Sequence, residues 1–247
     1  MVSQEDIQAT CDDIVREFAP LHVILFGSYA YGMPTEDSDV DMLVVMDIPS
    51  SETRRQTSEI SKRIPRRFSM DLLVRSKDEV SYRITHNDWF LREITERGKV
   101  LYGDINTIKG NIKKVDAEMN PLTIEWVEKA EEDYTTVKLL YQNAGSSKNI
   151  ICFHAQQCIE KYLKVWLQEK NIPIPRTHKL EDLLDLITPY IPKWNTWKSD
   201  LSKLSNHALD FRYPGKSATG ENVEIAVSTC DIVRHAILQS LNLPLTP

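Results

Sequence analysis

Near residue 105 the chain changes rhythm, and that change constrains the fold more than any other feature of its 247 residues. Before it, short apolar runs alternate with helix-like stretches. QEDIQATCDDIVREF has helical spacing and leads through Pro20 to the run HVILF, closed by Gly27. A second strand is expected over residues 39–46, a helix over 50–64 stopped by Pro65, and a third strand over 68–74. A helix over 89–97 and a short strand over 99–102 complete the unit. Strands interleaved with helices predict an α+β layer fold, a small mixed sheet with helices.

Residues 106–120 are polar and weakly periodic and read as a linker between a first domain, 1–105, and a second, 121–247. After Pro121 almost everything reads as helix: 122–141, 148–170, 180–187, 193–207 and 221–241. Breakers such as Asn143-Ala144-Gly145 and Pro173-Ile174-Pro175 separate them. Ile151, Cys158, Ile159, Tyr162, Val165 and Trp166 recur at near-helical spacing and give one wide apolar face. An all-α antiparallel helical bundle follows. His154 and the tryptophans Trp126, Trp166, Trp194 and Trp197 read as packing residues of that bundle.

Charge separates the halves too. Residues 1–105 hold 13 Lys+Arg against 19 Asp+Glu, whereas residues 106–247 hold 17 of each. An acidic first half argues against nucleic acid as a partner and suits a site that collects divalent cations. The basic series Arg54, Arg55, Lys62, Arg63, Arg66 and Arg67 reads as the solvated face of a helix. Four cysteines without a CxxC pair read as reduced thiols of a cytoplasmic protein. The acidic N-terminus carries no apolar signal region, and no run reaches the roughly 18 apolar residues of a membrane span.

Carboxylates in the strands concentrate the chemistry. Asp39 and Asp41 stand at the mouth of Met42-Leu43-Val44-Val45-Met46, and Asp71 interrupts another apolar strand pattern. Residues two apart on a strand share a side, roughly 6.5–7 Å apart, so Asp39 and Asp41 face one way and a neighbouring strand can bring Asp71 alongside. Such a set repels itself unless a divalent cation sits among it, and all-oxygen ligands suit Mg²⁺ or Mn²⁺. Gly27-Ser28, ending the first strand and opening a short turn, offers backbone N–H groups and a hydroxyl to phosphate oxygens. Gly32 lets the turn reverse, and Ser38 caps the turn before the aspartates or holds their geometry.

Gly27-Ser28, ten residues, then Asp39-Val40-Asp41 resembles the Gly-Ser-x10-Asp-x-Asp signature of the DNA polymerase beta superfamily of nucleotidyltransferases. The surroundings GSYAYGMPTEDSDVDMLVV are most similar to its minimal nucleotidyltransferase branch, which includes prokaryotic antitoxins and is related to aminoglycoside nucleotidyltransferases. The resemblance covers about the first hundred residues. It implies that Asp39 and Asp41 bind the metals, that Asp71 is the third carboxylate, and that Gly27 and Ser28 hold the triphosphate with Gly32 and Ser38 beside them. Tyr31 departs from the pattern, since many members carry arginine there.

FHAQQCIEKYLKVWLQEK, Thr177-His178-Lys179-Leu180 and Phe211-Arg212-Tyr213-Pro214-Gly215 resemble the HEPN family of helical bundles, over roughly residues 121–240. Many HEPN domains are ribonucleases with an Arg-x4-6-His motif across a dimer. Here Arg176, Arg212 and Arg234 are followed by histidines at one, twenty-two and zero intervening residues, so none fits. Acceptor binding, nucleotide binding, a homodimer interface or scaffolding remain for this half, with Lys161, His178, Lys179 and Arg212 as candidates for an anion pocket. Glu125, Glu128, Glu131 and Glu132 are candidates for a general base, since in related aminoglycoside enzymes a glutamate of the helical region has that role.

The two resemblances together imply a Mg²⁺-dependent transferase that moves a nucleoside monophosphate, AMP from ATP, onto a hydroxyl. The acceptor is a protein tyrosine, a small molecule of the aminoglycoside kind, or the chain itself at Tyr213. The alternative is a non-catalytic nucleotide-binding or regulatory dimer of toxin–antitoxin type.

Overall fold

The structure, a computed structural model, describes residues 1–109, 119–143, 145, 147–210 and 215–245. Arg212, Tyr213 and most of the expected linker lie outside the described residues. The chain divides into two compact units, 1–116 and 117–247.

In the first unit, α1 (Gln4–Phe18) begins at Ser3, whose hydroxyl accepts the Asp6 N–H at 3.0 Å. It ends at Ala19 in the left-handed region, followed by Pro20. Then come β1 (His22–Phe26), the single turn α2 (Ser28–Tyr31), β2 (Val40–Met46), α3 (Thr53–Arg63) and β3 (Met70–Ser76). Helices α4 (Lys77–Thr85) and α5 (Trp89–Arg97), β4 (Lys99–Tyr102) and the short α6 (Asn106–Lys109) close the unit. The four strands lie in the order β3-β2-β1-β4. β2 runs antiparallel to β1 and parallel to β3, and α3 supplies the crossover that a parallel pair needs.

Strand alternation divides the core into two layers. Val23, Leu25, Val40, Met42 and Val44 pack against Ile7, Cys11 and Ile14 of α1 and Ile60 of α3. Ile24, Phe26, Leu43 and Val45 pack on the other face against Val80 and Ile84 of α4 and Leu91 and Ile94 of α5. Of the basic series, Arg63 at the end of α3 pairs with Glu17 of α1 at 2.9 Å, and Arg67, beyond the helix, pairs with Asp13 of α1 at 2.7 Å. The Arg67 and Arg16 guanidiniums bonded to Asp13 hold its carboxyl below the usual range.

The second unit is helical, as its periodicity predicts. α7 (Pro121–Gln142) and α8 (Lys148–Glu169) are joined by a short connection, and α9 (Leu180–Ile187), α10 (Lys198–Asp210) and α11 (Gly220–Ser240) follow. α8 is the centre, with Ile151, Cys158, Ile159, Tyr162, Val165 and Trp166 all buried, and α7, α9, α10 and α11 pack around it. Trp166 and Trp194 meet edge-on at 6.1 Å and Trp194 stacks on Trp197 at 4.8 Å, so these rings fill the interior. All four cysteines are buried and free, and burial pushes the Cys11 thiol up to about 12 and Cys152 up to about 11. Among the described residues no helix is long and apolar enough to cross a membrane.

Candidate active site

One end of the sheet gathers the predicted residues. The antiparallel register pairs Phe26 with Asp41, and the parallel register pairs Asp41 with Asp71. The last residue of β1 and the second residues of β2 and β3 therefore form one row across three strands. Val40 and Met42 enter the α1–α3 layer, so alternation sends Asp41 to the α4–α5 side, and Asp71, next to Leu73, follows it. Asp39 lies one residue before β2. Asp41 is half-buried, while Asp39 and Asp71 are exposed.

Gly27 follows the row directly. Its backbone, φ 71° and ψ −150°, occupies a region essentially reserved for glycine. That conformation turns the chain sharply from β1 into α2, whose Ala30 and Tyr31 N–H groups both donate to the Gly27 carbonyl at 3.1 Å. The first N–H groups of such a turn have no intrahelical acceptor, and Ser28 adds a half-buried hydroxyl beside them. Gly32 closes the turn: its N–H donates to the Ser28 carbonyl at 3.1 Å, and a Cβ there would lie 2.9 Å from Ser28 Cα. Ser38 acts on the loop before the aspartates. Its hydroxyl accepts the Thr35 N–H at 2.8 Å and lies 3.0 Å from Thr35 Oγ1. In this structure Ser38 is a loop clamp that fixes where Asp39 begins.

The donor chemistry of Asp39, Asp41 and Asp71 is all carboxylate oxygen, which fits a hard divalent cation. As their side chains are placed, the three do not converge: among the described residues no group of three His, Cys, Asp or Glu is close enough to hold a metal ion. The backbone register nonetheless sets Asp41 beside Asp71 across the β2–β3 pair.

A wall absent from the sequence argument comes from α5. Asp88 caps this helix, accepting the Leu91 N–H at 2.9 Å, and so aims Leu91 and Ile94 into the core. Phe90 then meets Phe26 edge-on at 5.7 Å, and the Arg97 guanidinium lies over the Tyr31 ring, 4.5 Å from its centre. Phe90 and Arg97 are seven residues apart and share a helix face. That spacing was the available signal, and only the sheet packing gives it meaning.

In the second unit two of the described candidates for an anion pocket, Lys161 and His178, face carboxylates; Arg212 lies outside the described residues. Lys161 bonds Asp133, which also takes His154 Nδ1 at 2.7 Å, while His178 Nδ1 lies 3.0 Å from Glu160. Lys179 is exposed. Of the candidate bases, Glu131 accepts from Arg234 at 2.7 and 3.0 Å and from the Tyr162 hydroxyl, and Glu132 pairs with Lys129 at 2.6 Å. Glu125 and Glu128 are exposed. Arg234 also lies 4.2 Å over the Tyr134 ring, so it is a structural residue of the bundle.

Comparison with known proteins agrees with both halves of the sequence argument. The nucleotidyltransferase domain family model matches residues 10–132, and the HEPN domain family model matches residues 123–241. Among curated proteins none matches the sequence significantly. Among solved structures, spectinomycin adenyltransferase AAD(9) from Enterococcus faecialis, crystallised with ATP and spectinomycin, is similar in fold. Its TM-score is 0.50 at 12% identity, covering 95% of this chain and 99% of that one. A nucleotidyltransferase-like protein from Exiguobacterium sibiricum aligns with a TM-score of 0.49 at 11% identity, over 96% of this chain and 77% of that one.

Proposed function

Since this chain joins a nucleotidyltransferase domain to a HEPN domain, we propose that it transfers AMP from ATP to a hydroxyl acceptor with the help of Mg²⁺ or Mn²⁺. The observation that supports this most is the row Phe26–Asp41–Asp71 running directly into the Gly27–Ser28 turn. Carboxylates on one side of a phosphate-binding turn are the equipment for in-line displacement at phosphorus. Asp39, Asp41 and Asp71 would hold the metal, and Gly27 and Ser28 would seat the triphosphate. A bound divalent ion would neutralise charge building on the phosphate oxygens. The acceptor hydroxyl attacks the α-phosphorus, the bond from that phosphorus to the bridging oxygen breaks, and pyrophosphate leaves. The hydroxyl proton passes to a carboxylate within hydrogen-bond reach; Asp71, exposed at the rim of the row, is the residue we assign to it.

The acceptor is a protein tyrosine or a small aminocyclitol or aminoglycoside; the AAD(9) likeness places spectinomycin in the test panel. Labelled ATP with Mg²⁺ is incubated with lysate, the aminoglycoside panel and the protein alone, and pyrophosphate is measured together with labelled product. Transfer that disappears in the Asp39→Ala/Asp41→Ala double variant supports the reading. Intact mass separates self-modification from transfer to another molecule.

The competing reading is a regulatory dimer that binds nucleotide at this site without transferring it. ATP binding without pyrophosphate release across every acceptor would select it.

A further inference from the structure

We propose that Arg97 is a phosphate-binding residue of the nucleotide site, gripping the triphosphate at the end of the row opposite the aspartates; this rests on the triphosphate site proposed above. The argument begins with Gly98. A Cβ there would lie 2.3 Å from the Ile94 carbonyl and 2.7 Å from Ile24 Cγ2, so only glycine lets α5 stop flat against β1. The chain turns at once into β4, where Lys99 pairs with Leu25 and Val100 with Ile24. Because β4 is antiparallel to β1, its beginning lies where β1 ends. Arg97 is thereby delivered to the edge that carries Phe26, Gly27 and Ser28.

Across the sheet that edge now reads Asp71, Asp41, Phe26 with Gly27, then Arg97. Carboxylates stand at one end, a guanidinium at the other, and the glycine turn between them. A metal-bound triphosphate has this charge requirement: a cation shared with carboxylates at one end and a fixed donor set at the other. Lys99, two residues on, turns the other way and donates to Gln4 Oε1 of α1 at 2.8 Å.

Arg97 is also held as such a residue needs to be. Its guanidinium lies over the ring of Tyr31, the last residue of the turn that Ser28 opens, 4.5 Å from the ring centre. A contact made through the ring face holds the group beside the turn without consuming its N–H donors. Its ion pair with Glu93 is 3.6 Å long, with the Arg97 side chain 59% exposed and that of Glu93 19%. A pair of that length makes no hydrogen bond, so the Arg97 donors are open to phosphate oxygens without breaking one to Glu93. An ordinary role for arginine in a last helical turn, facing the carbonyl ends, needs neither the ring nor this edge.

Full-length wild-type protein, Arg97→Ala and Arg97→Lys are titrated by calorimetry with ATP plus Mg²⁺ and separately with inorganic tripolyphosphate. Arg97→Ala is expected to bind both about tenfold more weakly or worse, with its thermal midpoint kept. Arg97→Lys, which restores the charge without the planar fork, recovers part of the loss. If Arg97→Ala does not fold, Arg97→Gln, with its longer stem, carries the same expectation. Wild-type-like affinity of the neutral variant for ATP, while Asp39→Ala/Asp41→Ala weakens it, overturns the Arg97 assignment and leaves the transferase standing. A loss for ATP that spares tripolyphosphate overturns it as well, because the contact would then be to base or sugar. A wild type that binds neither ligand overturns both proposals.

Discussion

Asp41 and Asp71 stand opposite each other across the parallel β2–β3 pair, each the second residue of its strand. Neighbouring strands lie about 4.8 Å apart, so two like charges share one row at the rim of an apolar sheet. Asp41→Asn removes a half-buried charge from the middle of the row and Asp71→Asn an exposed one from its border. Each is expected to reduce AMP transfer by about 100-fold or more while the folded fraction by circular dichroism stays unchanged. Transfer at wild-type rates in either variant would remove that aspartate from the site.

Gly27 makes a sharper structural prediction. Any side chain at φ 71°, ψ −150° is strained, and Gly27→Ala should destabilise the first unit by about 1–3 kcal/mol. The turn it shapes carries Ser28, so nucleotide binding should fall together with the thermal midpoint. Ser28→Ala, which keeps the turn, should weaken binding and leave the midpoint in place. Differential scanning fluorimetry with and without ATP separates the two.

His22 gives a pH dependence. It is buried, with Nε2 3.1 Å from Thr107 Oγ1, and burial lowers its pKa below the ordinary value; nearby Asp104 opposes this and Lys77 adds to it. The folded state therefore holds the neutral ring, and the unfolded chain binds the extra proton as pH drops. Stability rises with pH wherever the unfolded state holds more protons. This contribution is complete above the ordinary histidine value, near 6.5, and is lost as pH falls through it. Denaturation midpoints measured from pH 7.5 to 5.5 should fall in the wild type and fall less in His22→Gln.

In the helical unit, Glu131 and Arg234 are the pair to break. Arg234 is 8% exposed and Glu131 24%, with the Tyr162 hydroxyl on the same carboxylate. Glu131→Ala strands a buried guanidinium and should cost the unit about 3 kcal/mol or more. A double variant, Glu131→Leu with Arg234→Met, should recover much of that loss. A single variant as stable as wild type in urea would mean the pair is solvated.

Much of this was legible in the chain. The runs HVILF and VDMLVVM declare their strands, and Asp71 inside an apolar pattern anticipates its pairing with Asp41. What escaped did so for physical reasons. α4 shows only Val80 and Ile84 to the core, too thin a stripe for periodicity to register. Its start was nonetheless written in Ser76 and Glu79, since the Ser76 hydroxyl accepts the Glu79 N–H at 3.1 Å. The helix expected over 193–207 begins instead as a tighter turn, Pro192–Trp197, which lets Trp194 and Trp197 stack before α10 starts. Arg97 was invisible as a site residue because nothing in α5 alone distinguishes it from any base in a last helical turn. Its meaning comes from Gly98 seating α5 on β1, against Ile24, a contact between segments far apart in the chain.

β3 is the border strand of the sheet, bonded to β2 on one side only. Asp71 thus sits where backbone and side chain can shift without disturbing the interior, whereas Asp41 is gripped by neighbours on both sides. The strand around Asp71 can be remodelled at less structural cost than the one around Asp41. Sequence change around the site should therefore accumulate in the border strand flanking Asp71, with the middle of the sheet held constant.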